Sequence, residues 1–129
     1  MPLVRIDLVR GRTPEQLRAL ADTVQEVMLD VFAAPPGDRY QVIHQHDADE
    51  MIIEDTGLGI ERSAGVTVVQ VTQQGRDRAQ KEALYAALAE RLGDRGLVEP
   101  RDLVVSVVEN TRDDWSFGHG RAQFLTGEL

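Results

Sequence analysis

The sequence predicts an α+β fold, α/β-like in its connections, with a four-stranded mixed sheet carrying two helices on one face. Two observations carry this. Segments of two-residue alternation and of helical spacing follow one another as strand, helix, strand, and they do so twice. The second set repeats the first at a constant offset without a gap: Val4 with Val68, Gly11 with Gly75, Arg12 with Arg76, Gln16 with Gln80, Leu20 with Leu84, Pro36 with Pro100 and Asp38 with Asp102. Each half is therefore a β-α-β unit whose crossover makes its two strands parallel. With helices on one face only, the other face needs a cover, which predicts a symmetric oligomer.

The elements follow in order. Residues 3–9 alternate Val4, Ile6 and Leu8 with Arg5 and Asp7 and read as a strand. Arg10-Gly11-Arg12 turns the chain. Thr13-Pro14-Glu15-Gln16 opens a helix with a Thr cap, Pro in the first turn and a carboxamide at the third position, and Leu17, Leu20, Val24, Val27 and Met28 keep helical spacing up to about Phe32. Pro35-Pro36-Gly37-Asp38 stops it, and residues 40–46 form a second strand. A polar loop (47–50), a short apolar piece (51–53) and a Gly-containing connection (54–65) lead to the second unit: strand 66–72, helix from 77 to about 92, strand 103–108. The units span about 2–46 and 66–110 of one domain, and residues 113–129 read as an ordered tail.

Composition narrows the function classes. The 129 residues contain no Cys, which excludes disulfides, thiolate nucleophiles and Cys-based zinc sites. A formal charge of −8 argues against nucleic acid and anionic membrane as partners, and a small anionic substrate would need a local Arg pocket. Nothing resembles a secretion signal or a membrane span, so a cytoplasmic location is expected. His44 and His46 share a strand face, but no third ligand stands at a recognisable spacing. A polar-face or interface role is expected there, and no metal. Gly57 and Gly59 lack the remainder of a phosphate loop.

The residue with most chemical promise is Pro2. Removal of Met1 would make it a free secondary amine, whose pKa of about 7.7 to 8.0 lets modest neighbours set it as base, nucleophile or standing cation.

Pro2, the paired β-α-β units, Pro-Pro-Gly-Asp-Arg-Tyr (35–40), Ile-Ile-Glu-Asp-Thr-Gly-Leu-Gly (52–59), Gln-Lys-Glu-Ala-Leu-Tyr (80–85), Asp-Trp-Ser-Phe-Gly (114–118) and Gly-Arg-Ala-Gln-Phe-Leu-Thr-Gly (120–127) together resemble the tautomerase superfamily, in its malonate semialdehyde decarboxylase-like branch. The resemblance implies a homotrimer, an amino-terminal Pro in each site and no cofactor. It assigns catalytic roles to Pro2, Asp38 and Arg76 and an aromatic wall to Trp115 and Phe117. The sequence departs from the branch at Gln74, a substrate-binding position where the first Arg of an Arg-x-Arg pair is expected. A second Arg-x-Arg, Arg76 and Arg78, does not replace it, because the repeat register puts Arg78 inside the helix.

The activity implied is decarboxylation or hydration of a short 3-oxo or unsaturated acid, with a cationic Pro2 polarising the carbonyl and Arg76 holding the carboxylate. The alternatives are a keto-enol tautomerase of 2-oxo acids with Pro2 as base, and a catalytically silent trimeric binding protein if Met1 stays on.

Overall fold

The computed structural model describes residues 2–129; the fate of Met1 lies outside the described residues. β1 (Leu3–Val9), α1 (Pro14–Asp30) and β2 (Tyr40–His46) form the first unit, and β3 (Thr67–Gln74), α2 (Arg78–Asp94) and β4 (Leu103–Asn110) the second. The sheet order is β2-β1-β3-β4. β1 and β2 are parallel, β3 and β4 are parallel, and β1 meets β3 antiparallel, so the two units join into the mixed sheet that the repeat predicts.

The helix starts are set locally. Thr13 accepts from the Gln16 amide while the Gln16 side chain accepts from the Thr13 amide, and Asp77 and Gln80 repeat this reciprocal cap. Asp77 thus caps α2 instead of opening it. Val4, Ile6, Leu8, Val69 and Val71 meet Leu20, Val24, Val27, Met28, Leu84, Leu88 and Leu92 in one buried core, which puts both helices on one face. The other face carries Arg5, Asp7, Tyr40, Val42, His44 and Val108, and Tyr40, Val42 and Val108 are about 40% exposed (40, 40 and 42%).

Two strands run longer than their sequence suggests. β3 continues through Gln73 and Gln74, and β4 through Glu109 and Asn110, with Gln73 paired to Glu109 and Gln74 to Asn110. The ladder satisfies the backbone of these polar residues, which single-residue propensity assigns to a turn. The tail carries a short α3 (Gln123–Thr126).

Candidate active site at one end of the sheet

Strand directions decide where the sequence-predicted residues go. Because β1 and β2 start where β3 and β4 finish, one end of the sheet collects Pro2 just before β1, Asp38 just before β2, Gln74 closing β3 and Arg76 just after it. Leu3 pairs with both Tyr40 and Thr72, which fixes this end in register.

The tail completes it. Trp115 donates from Nε1 to Asn110 Oδ1 (3.2 Å) at the end of β4. It stacks on Phe117, with centroids 5.3 Å apart and planes at 13°, and Phe117 meets Tyr40 at the start of β2 at 5.6 Å. Since β4 and β2 are opposite edges, the aromatic pair crosses the whole end of the sheet on its open face. Phe124 packs edge-on against Phe117 (5.5 Å), and the Gln123 side chain accepts from the Phe117 amide (2.9 Å). The wall is therefore fixed by α3 and by both edge strands.

Arg76 approaches from the other side. Its Nε donates to the Phe32 carbonyl (2.7 Å), its Nη1 to the carbonyls of Gln74 and Gly75 (2.9 and 3.0 Å), and its guanidinium lies 5.5 Å from the Phe32 ring centroid. Burial lowers its pKa from the ordinary value. Arg12, its repeat partner, likewise donates from Nε and Nη2 to the Leu97 carbonyl (3.3 and 3.1 Å) beyond α2. Both Arg residues tie a strand-to-helix turn to the far end of the other unit's helix, so neither is merely a solvated turn residue. Arg78 points away: its side chain is 94% exposed and pairs with Glu82.

Asp38 is buried, as is its repeat partner Asp102, 8% and 1% exposed. Asp102 accepts from the Ser63 amide (2.7 Å) and the Ser63 hydroxyl (2.5 Å), and a methyl placed on Gly65 would stand 3.2 Å from its Oδ2. Gly65 and Val66 precede β3 as Met1 and Pro2 precede β1 in the sequence, so by the repeat the Asp38 carboxylate is expected at the mouth of β1. Pro2 itself is buried.

Two participants, Tyr40 and Phe124, escape sequence reading. Tyr40 and Phe124 join the wall through contacts between distant segments. Gln73 is 1% exposed with neither amide atom hydrogen-bonded among the described residues, and Gln74 Oε1 is buried in the same condition. A groove of about 540 Å³ between α1 and β2, lined by Leu17, Ala21, Gln41 and Ile43 among others, contains none of the predicted site residues.

A family model described as "Tautomerase enzyme" matches residues 38–118, and a second of the same description matches 2–60. "Probable tautomerase YrdN" of Bacillus subtilis (strain 168) is 47% identical over 100% of both chains, and "Probable tautomerase YusQ" of the same organism is 34% identical over 97% of this chain and 99% of its own. Among solved structures, a malonate semialdehyde decarboxylase with decarboxylase and hydratase activities superposes with a TM-score of 0.93 at 44% identity, covering 98% of each chain. FG41 malonate semialdehyde decarboxylase inhibited by 3-bromopropiolate gives the same score and identity, over 98% of this chain and 97% of that one. A fused 4-OT symmetric trimer shares the fold at a TM-score of 0.78 and 21% identity, over 97% of this chain and 98% of that one.

Proposed function

Because this chain belongs to the tautomerase family of enzymes, in the branch that includes malonate semialdehyde decarboxylase, we propose that it is a cofactor-free decarboxylase or hydratase of a short 3-oxo or unsaturated carboxylic acid, acting through an amino-terminal Pro2. The observation that carries this reading is the convergence at one sheet end of Pro2, Asp38, Arg76 and the Trp115–Phe117 wall, in a chain 44% identical to that decarboxylase along nearly its whole length.

Removal of Met1 frees the Pro2 amine. Asp38, at the mouth of β1, favours its ammonium form by charge. A 3-oxo acid then binds with its carboxylate on Arg76 and its aldehyde oxygen on the Pro2 N–H. The bond between the carboxylate carbon and C2 breaks, its electron pair passes through C2 into the carbonyl, and the oxygen takes a proton from Pro2. Carbon dioxide leaves, and the enol takes a solvent proton at C2 while its O–H proton returns to Pro2, giving the aldehyde and restoring the ammonium. The wall of Trp115 and Phe117 disfavours the charged carboxylate and leaves neutral carbon dioxide unaffected. In hydration the same polarised carbonyl draws water to the conjugated carbon, with Asp38 orienting it.

The assembly proposed is a cytoplasmic homotrimer. Tyr40, Val42 and Val108 on the open sheet face want cover, and fused 4-OT of the same fold forms trimers. No helix among the described residues is long and apolar enough to cross a membrane.

A second reading has its own support. The curated relatives at 47 and 34% identity are probable tautomerases, and Gln74 supplies a neutral amide where the decarboxylase-like branch is expected to carry a second Arg. A parallel assay separates the two: release of carbon dioxide from malonate semialdehyde against ketonisation of a 2-oxo acid enol. The proposal expects the first to exceed the second in kcat/KM. Fast ketonisation without carbon dioxide release would assign the chain as a tautomerase.

A further inference from the structure

We propose that Asp7, His44 and His46, on the open face of the sheet, form a binding site for a divalent transition-metal ion of the Zn²⁺, Co²⁺ or Ni²⁺ type. Sequence spacing offers only the two His residues. The third ligand comes from the neighbouring strand, because the β1–β2 register sets Asp7 directly beside His44, and His46 is two residues further along the same face.

The donor atoms already converge. Asp7 Oδ1 lies 2.7 Å from His46 Nε2 and 3.7 Å from His44 Nδ1, and one donor from each residue lies within 4.8 Å of the others. Adjacent ligands around an ion with bonds of about 2.0 to 2.2 Å stand about 3 to 3.5 Å apart, so small side-chain rotations close the site. Two imidazoles and one carboxylate select a borderline d-block ion over Mg²⁺ or Ca²⁺, and three protein ligands leave further positions for water. In the single chain the side chains are 30, 46 and 28% exposed for Asp7, His44 and His46.

A cation already occupies part of this position. Arg5 Nη2 lies 3.1 Å from His44 Nδ1, on the lone pair that a metal would take, while His46 Nε2 donates to Asp7. Loading therefore requires the exposed Arg5 side chain to swing away and the His46 proton to shift from Nε2 to Nδ1, so binding competes with the guanidinium. The metal is not a participant in the proposed reaction: Asp7 lies four residues along β1 from Leu3, about 13 Å from the sheet end that holds Pro2. The neighbouring exposed group Asp47, Asp49 and Glu50 shares none of these ligands.

The test is calorimetric titration of chelator-treated protein with ZnCl₂ and CoCl₂ near neutral pH, with visible absorption for Co²⁺. One ion per chain is expected, with a micromolar dissociation constant and cobalt absorption in the visible. His46→Ala and Asp7→Asn should each weaken binding at least tenfold, Arg5→Ala should strengthen it severalfold, and Asp49→Asn with Glu50→Gln should leave it unchanged. Circular dichroism confirms that each variant is folded, and His44→Gln substitutes for any that is not. Absence of saturation up to about millimolar metal, or binding indifferent to the Asp7 and His substitutions, would overturn the site.

Discussion

Arg76 is held to Phe32 twice, by the 2.7 Å bond from Nε to the Phe32 carbonyl and by the guanidinium 5.5 Å from the Phe32 ring centroid. These contacts fix the guanidinium plane beside the end of β3 without neutralising its charge. A positioned, unneutralised Arg is what a carboxylate substrate requires.

Arg76→Ala should therefore lower kcat/KM for acid substrates about ten- to a hundredfold, the worth of a charged hydrogen-bonded pair. Steady-state kinetics with the acid and with a neutral ketone analogue checks this, and the loss should be confined to the acid. Gln74→Arg should act oppositely on the same substrates and lower KM, because it puts a second guanidinium in place of the neutral Gln74 amide. A variant with unchanged KM would remove Gln74 from substrate contact.

The two repeat-related carboxylates should respond differently to substitution. Asp102 accepts from the Ser63 amide and hydroxyl, so Asp102→Ala leaves these half-buried donors without their partner and should cost about 1 to 2 kcal/mol in denaturant unfolding, with kcat little changed. Asp38→Asn keeps the shape and should reduce kcat far more than stability. Equal losses of activity in both variants would make Asp38 structural only.

Asp55 gives a pH dependence with a defined sign. Its carboxylate accepts from the amides of Gly57 (3.1 Å) and Gly59 (2.8 Å), and these bonds hold its pKa below the ordinary carboxylate value. A depressed folded pKa means that its stabilisation is fully present above the unfolded value of about 3.9 and is lost as pH falls through the folded value. Amide chemical shifts of Gly57 and Gly59 should therefore stay constant down to about pH 4 and move together only below it. A transition above pH 5 would contradict the assignment.

Much of this was legible in the sequence because the repeat constrains it twice. The offset that pairs Gly11 with Gly75 and Asp38 with Asp102 gives the two β-α-β units and their parallel strand pairs. The unread parts depend on non-local packing. Phe124 and Tyr40 acquire roles only when the tail crosses from β4 to β2, and Asp7 becomes a partner of His46 only through the β1–β2 register. Gln73 falls beyond the strand 66–72 that the sequence predicts yet is 1% exposed, because the strand pair extends beyond its apolar residues.

The central claim is that Pro2 works as a cationic amine. Nitrogen NMR titration of protein labelled at proline, with removal of Met1 verified by intact mass, measures this directly. Asp38 at the mouth of β1 should raise the amine above its reference of about 7.7 to 8.0, and Asp38→Asn should lower it. A Pro2 pKa above about 8 agrees with decarboxylation or hydration. A value below about 7 would contradict the account, because the neutral amine beside Arg76 would then be the general base of a tautomerase.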